Sequence, residues 1–313
     1  MPITHELSAI LFAVIGSTGT QGGSVIQAIK ASSKPYRVRA ITRDPLKPAA
    51  KELEKLGCEV FAADVDDIST LKAAFQDAHY AFAMTALFRV RSQGKGKAQI
   101  DTAKAAGVAL IVFSGLTNMT DATGGKIKVD VFDVKAEVVA YARSLGGIEV
   151  IDIQAGAHAS NTLYMPAFQP KKESEGTYTL ALALDADSPY ASIDTLSDYG
   201  RYVIGAIESE IRPKAVYASD EYTTPAKMAE EMSRVSGKKV NFYRLPDEVL
   251  FKGLNAFNPT LANNIVPMMQ SFQAVGYYNG KDLSESNKLL SSPAVSFGQY
   301  LDANKETLLK LLE

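Results

Sequence analysis

Short apolar runs alternate with amphipathic stretches through the first half of the chain. The runs at 10–15, 36–42, 59–62, 80–84, 109–114 and 149–154 are continuous enough to be strands buried on both faces. Between them, residues 25–31, 49–56, 71–75, 93–106 and 132–145 repeat apolar side chains at helical spacing. Gly57, Gly107 and Gly146 follow three of these helices, where a left-handed C-cap is wanted, and a strand begins shortly after each. This repetition predicts an α/β fold: a Rossmann-type doubly wound parallel sheet whose right-handed crossovers put helices on both faces.

After about residue 155 the rhythm breaks. Pro166, Pro170, Gly176, Pro189 and Pro213 punctuate mixed strands and helices. Thr224 and Pro225 open a helix through Ser236, 239–245 reads as a strand, and 296–312 reads as a closing amphipathic helix. The chain therefore divides into a dinucleotide-binding domain, 1–155, and a smaller α+β region, 156–313, capping the cleft at the carboxyl ends of the strands, from which the chain can cross back to the sheet. The Phe- and Met-rich stretch 246–274 either lines that cleft or serves as ordinary core or a homodimer contact.

Composition narrows the choices. With 313 residues, 46% hydrophobic and 22% charged, the chain can bury a large core, and its net charge of −2 gives nucleic acid no general electrostatic reason to bind directly. The single cysteine, Cys58, forms no internal disulfide, and no two of His5, His79 and His158 stand four apart, which argues against a metal site. No apolar run approaches the roughly 20 residues of a membrane span. A cytoplasmic location is expected, with the nucleus as the second compartment.

The strongest motif follows the first strand: Gly16, Ser17, Thr18, Gly19, Thr20, Gln21, Gly22. Gly16 permits a tight turn, Gly19 lets backbone approach a pyrophosphate, and Gly22 lets the helix pack on the sheet, while the helix N-terminus offers free N–H groups to phosphate. At the end of the second strand, where an NAD-binding protein usually places an acid, stands Arg43, with Lys47 beyond it. A guanidinium there pairs with a 2′-phosphate, so the expected cofactor is NADP(H); if Asp44 faced the ribose instead, NAD would be favoured. Asp64 and Val65, after the third strand, are placed to meet the adenine, although an acid there is also often a helix cap.

These residues resemble the NmrA-like family of atypical short-chain dehydrogenase/reductases, which includes redox-sensing regulators. The likeness rests on the glycine motif with Gly23, Ser24 and Val25 after it, on Thr42 to Pro45, Ala63 to Asp67, Phe113 to Leu116, and Phe132 to Glu137. It covers most of the chain and loosens in the last third. It implies that Thr85, Ala86 and Leu87 pass the cofactor's ribose and diphosphate, that Lys97 lies close to the cofactor, and that Lys135 bonds the nicotinamide ribose. It also implies that Ala155, Gly156, Ala157 and His158 lie against the nicotinamide. The sequence departs there, with Gln154 and Ala155 where the family often has Arg-Pro and His158 in place of a usual aromatic.

The wider superfamily uses Tyr-x-x-x-Lys for proton transfer during hydride transfer. Four residues before Lys135 stands Val131, which carries no proton. That absence and the resemblance favour a redox-sensing regulator, whose protein partner would read cofactor state, with the loop 115–129 as the element to move. The alternative is an NADPH-dependent reductase of a small carbonyl, imine, enone or quinone, taking its proton from Lys135, His158 or Tyr164.

Overall fold

A computed structural model describes residues 3–85 and 92–313. The first half runs β1 (Ile10–Ile15), α1 (Thr20–Ala31), β2 (Tyr36–Thr42), α2 (Pro48–Lys55), β3 (Glu59–Ala62), α3 (Ile68–Phe75), β4 (Tyr80–Ala83), α4 (Ser92–Ala105), β5 (Leu110–Phe113), α5 (Met119–Ala122), α6 (Asp130–Ser144) and β6 (Glu149–Ala155). The second half adds β7 (Ala157–His158), α7 (Asn161–Tyr164), β8 (Lys171–Ser174), β9 (Thr177–Leu182), β10 (Tyr190–Ile193), α8 (Thr195–Glu208), β11 (Ala215–Ala218) and β12 (Tyr222–Thr223). It ends with α9 (Pro225–Ser236), β13 (Lys239–Arg244), α10 (Asp247–Phe257), α11 (Pro259–Val275), α12 (Ser284–Asn287), α13 (Phe297–Ala303) and α14 (Lys305–Leu311).

Seven parallel strands form the main sheet in the order β11-β6-β5-β4-β1-β2-β3. The strand order reverses between β1 and β4, which opens a crevice at their carboxyl ends. Period-two alternation gives each face its own core. On one side Phe12 and Val14 meet Val25, Ile26 and Ile29 of α1 and Tyr199 and Val203 of α8. On the other, Leu11, Ala13 and Ile15 meet Leu71 and Phe75 of α3, Ile100 of α4 and Val138 of α6. Helices α1 and α8 touch backbone to backbone: a Cβ on Gly200 would lie 2.7 Å from the Val25 nitrogen, and Ser24 Oγ accepts the Gly200 N–H at 2.9 Å.

The second half is not a separate layer throughout, because α8 and β11 return to the main sheet. What remains forms the cap. Two three-stranded sheets, β12-β10-β7 and β13-β9-β8, share a third core with α9, α10, α11, α13 and α14. Thr224 caps α9 by accepting the Lys227 N–H, with Pro225 in its first turn. The expected closing helix 296–312 is two helices, since the chain leaves helical geometry at Asn304. Among the described residues no helix is long and apolar enough to cross a membrane.

Candidate functional site

The glycine turn is built as close packing requires. Gly16 ends β1 with φ +67°, a left-handed conformation that side chains resist. A Cβ on Gly22 would press on the Gly16 carbonyl oxygen and lie 2.7 Å from its carbon and 3.0 Å from the Ile15 oxygen. The N–H and Oγ of Ser17 both donate to the Ile41 oxygen, at 3.2 and 2.9 Å, which anchors the turn to β2 and turns this side chain away from the cleft. Gly19 is the N-cap of α1, and no side chain caps that helix, so its first-turn N–H groups are left for another acceptor.

A cleft of about 560 Å³ opens above this turn. Gly16, Thr18, Gly19, Thr20, Gln21, Arg43, Asp64, Val65, Thr85, Lys135 and Ala155 to His158 all line it. Gly22 acts from beneath through packing. Arg43 is exposed on the rim and forms no ion pair with a described residue. Asp44 does not share that position: its carboxylate accepts the Leu46 N–H at 3.0 Å and stays in the turn. Asp64 likewise accepts the Asp66 N–H at 3.0 Å while lining the cleft.

Two expected cations are not brought to the cleft. Lys47 is an exposed residue at the start of α2, outside the lining. Lys97 lies over the Tyr141 ring at 5.1 Å, on another side of α4. The same helix instead presents Lys95 and Gln99 to the cleft, with Lys95 bridging Asp66 at 2.6 Å. Their four-residue spacing was the available signal, because positions four apart share a helix face and positions two apart do not. Ala86 and Leu87 lie outside the described residues.

Where the cleft meets α6, Lys135 is buried and its Nζ donates to the Ser114 carbonyl oxygen at 2.6 Å. Burial pulls its pKa down to about 8, against the upward pull of Asp152. Asp152, itself buried, is pushed up to about 6 by desolvation. Its Oδ2 accepts from Gln154 at 2.7 Å, and Gln154 Oε1 accepts from Thr117 at 2.8 Å. Gln154 thus joins a polar chain running beneath the lysine. Burial, reinforced by the charge of Lys135, lowers the His158 pKa. Ser114 Oγ donates to Gln21 at 3.0 Å, linking the end of β5 to the glycine turn.

Beyond Lys135 the cleft becomes an apolar chamber, which local sequence patterns did not disclose. Phe132, three residues before Lys135, packs edge-on against Phe272 at 5.5 Å and Tyr277 at 5.9 Å. Tyr190 completes the cluster, 6.2 Å from Phe272 and 5.9 Å from Tyr277. Met165 and Met268 add wall. The stretch 246–274 therefore does reach the cleft, through Ile265, Met268 and Phe272 of α11. Val131 lies outside the lining and packs against the cap core.

The loop 115–129 is tied down. Asp133 Oδ1 accepts the N–H groups of Met119 and Thr120 at 2.7 and 3.1 Å, and Oδ2 accepts the Thr120 hydroxyl and the Val129 N–H at 2.6 and 3.0 Å. A segment expected to move is held by one buried carboxylate.

Fold and cleft together define a Rossmann-type α/β protein whose C-terminal cap encloses one end of the crevice. The chain belongs to the NmrA-like family, whose model matches residues 9–301. It is 28% identical to the NmrA-like family domain-containing oxidoreductase ptmS of Penicillium ochrochloron, over 96% of this chain and 95% of that one. With the corresponding oxidoreductase malD of Malbranchea aurantiaca it shares 30% identity over 75% of each. Among solved structures, NmrA, a negative transcriptional regulator, superposes with a TM-score of 0.79 at 20% identity, covering 96% of this chain and 98% of NmrA. NmrA has been solved with NAD and with NADP. The NADPH-dependent quinone oxidoreductase QOR2 of Escherichia coli, solved with NADPH, superposes with a TM-score of 0.75 at 22% identity, covering 94% and 99%.

Proposed function

We propose that this protein is an NADP(H)-dependent reductase of a small carbonyl, imine, enone or quinone. The observation that carries the proposal is continuity: one cleft runs from the uncapped N-terminus of α1, past Lys135, into a chamber walled by aromatic side chains. The glycine cradle suits a pyrophosphate because added Cβ atoms would fill it, and Arg43, on the rim with no ion pair to a described residue, would meet a 2′-phosphate. Asp64 and Val65 would meet the adenine, Thr85 the ribose and diphosphate region, and Ala155 to His158 the nicotinamide.

Bound there, a reduced nicotinamide would supply a hydride. Lys135 would bond the neighbouring ribose and, with its pKa drawn down to about 8, hold a proton it can release near neutral pH to the substrate oxygen or nitrogen as charge develops there. Asp152, held by Gln154, acts on that lysine only through its charge, which favours the protonated form. His158 is a weaker candidate donor, because burial and the charge of Lys135 both disfavour its protonated form. A cytoplasmic or nuclear location suits a chain whose single thiol, Cys58, is buried and pushed up to about 11.

A second reading is supported by Val131 and by the structural likeness to NmrA: a redox sensor that binds NADP(H) and presents its state to a protein partner. The deciding experiment follows NADPH oxidation at 340 nm with ketones, quinones, imines and enones. Turnover that is lost in Lys135→Ala supports the reductase. NADPH binding with no turnover of any substrate in the panel supports the sensor.

A further inference from the structure

The chamber has a wall of rings and, among the described residues beyond the glycine turn, few polar side chains: Lys135, His158, the half-buried Asn161 at its edge, Tyr190 and Tyr277. Tyr277 is committed, its hydroxyl donating to the Ala155 carbonyl oxygen at 3.1 Å. The Lys135 ammonium is tied to the Ser114 carbonyl and lies beside the expected ribose. Tyr190 differs from both. It lines the cleft, is only 5% exposed, and its ring is fixed between Phe272 and Tyr277, yet its hydroxyl bonds to no described residue.

Nor is that hydroxyl sealed in the core. Among the described residues, the buried side-chain polar atoms left without a partner are on Arg39, Gln99, Asp152, Thr179, Thr195 and Asn264, and Tyr190 is not one of them. A phenol fixed by aromatic packing, unpaired within the protein and opening on an apolar cavity, is a preorganised donor. Burial raises its pKa, so it keeps its proton at every physiological pH. A donor in such a place rejects a ligand that leaves it unpaired and rewards one that supplies an acceptor.

We propose that Tyr190 is the specificity-determining donor of the chamber: it hydrogen-bonds the oxygen of an uncharged, flat, aromatic carbonyl compound whose rings lie among Phe132, Phe272 and Tyr277. This rests on the reductase reading for the purpose of the chamber, and the hydrogen bond itself is testable without turnover. Charged substrates are disfavoured, because the walls beyond Lys135 and His158 offer no charge to pair with.

The experiment uses the full chain saturated with NADP⁺, so that no reduction occurs, and titrates 1,4-naphthoquinone and its hydrocarbon counterpart naphthalene by calorimetry. Wild type should bind the quinone about 3- to 10-fold more tightly than the hydrocarbon, the worth of one ordinary hydrogen bond. Tyr190→Phe should weaken the quinone by that factor and leave naphthalene unchanged. Tyr202→Phe, whose hydroxyl bonds Asn287 at 2.6 Å outside the cleft lining, should keep the wild-type preference. Equal binding of the two probes by wild type overturns the proposal even if Tyr190→Phe folds poorly, and so does an unaltered preference in a folded Tyr190→Phe. If neither probe binds a protein that takes up NADPH in a separate fluorescence titration, the chamber inference fails while the dinucleotide site stands. If NADPH itself does not bind, the reading beneath it fails.

Discussion

Replacing Gly22 with alanine tests whether the glycine turn positions α1 for a ligand or merely shapes a loop. The new Cβ would meet three backbone atoms, at the Gly16 carbonyl and the Ile15 oxygen, and backbone cannot rotate aside. Since ordinary contact begins well beyond 3.0 Å, the first turn of α1 must retreat by about 1 Å, at an overpacking cost of about 1–3 kcal/mol. Alanine's better helix propensity offsets at most about 1 kcal/mol of this. The net loss of stability should be about 0–3 kcal/mol, readable by urea unfolding. Binding should suffer more. A retreat of that size takes the first-turn amides out of hydrogen-bond range of a phosphate, and charge-assisted bonds of about 1.5–3 kcal/mol are at stake, so NADPH affinity should fall about 10- to 100-fold. Gly23→Ala is the control, because its Cβ would lie 3.6 Å from the Ser17 oxygen, an ordinary contact. It should bind NADPH normally and be equally or more stable. Normal affinity in Gly22→Ala, or an equal loss in Gly23→Ala, would refute the reasoning.

Three further outcomes are expected. Arg43→Asp should weaken NADPH about 10- to 100-fold while changing NADH by less than about 3-fold, and an unaltered preference in parallel titrations would remove Arg43 from the 2′-phosphate site. Asp133→Ala should cost about 2–4 kcal/mol in urea unfolding, because the amides of Met119, Thr120 and Val129 lose their buried acceptor together; a change below about 0.5 kcal/mol would mean that the loop is held by other contacts. Lys135 titrates near 8 when folded against an ordinary 10.5, so between these values the unfolded chain binds more protons and stability rises with pH. Wild type should therefore gain stability relative to Lys135→Met across that window, and parallel curves would show that burial does not depress the lysine.

The dinucleotide half of the site was legible because its signals are local. Gly16 to Gly22 lie beside the strand and helix they join, and Arg43 lies one residue beyond β2. Apolar spacing marks α1 only from Val25, and it is the glycine motif that announces its start at Thr20, because the first turn is Thr20, Gln21 and two glycines. Lys95 was passed over for Lys97 because a resemblance assigns positions, whereas the helix face is set by Gly96 seating α4 against Val138 and Thr85. Of the chamber only the Phe- and Met-rich stretch 246–274 was legible, as one of two readings, and the rest was not, for a different reason. Tyr190, Phe272 and Tyr277 are separated from Phe132 by 58 to 145 positions and meet only through the cap topology. Asp133 stands in the first turn of α6, where an acid is ordinary, and only the fold reveals the loop it gathers.

Whether the cap can report cofactor state depends on how it is fastened, and the fastening is strong. The Tyr277 hydroxyl donates to the Ala155 oxygen at 3.1 Å, and that of Tyr278 lies 3.1 Å from the Gln154 oxygen and 3.3 Å from the Ala218 oxygen. These acceptors belong to β6 and β11, so the segment after α11 is bonded to two strands of the main sheet. Both rings are buried and in edge contact at 4.9 Å. Swinging the cap would strip these hydrogen bonds, each worth about 0.5–1.5 kcal/mol net, and expose both rings to water. A sensor needs two cap arrangements that the oxidised and reduced forms stabilise differently, and such fastening opposes the second one. Amide exchange from Phe272 to Tyr278 should therefore be equally slow with NADPH and with NADP⁺. A difference in protection beyond about tenfold would show that the two forms select different cap states, and the sensor would then displace the reductase as the better account of this cleft.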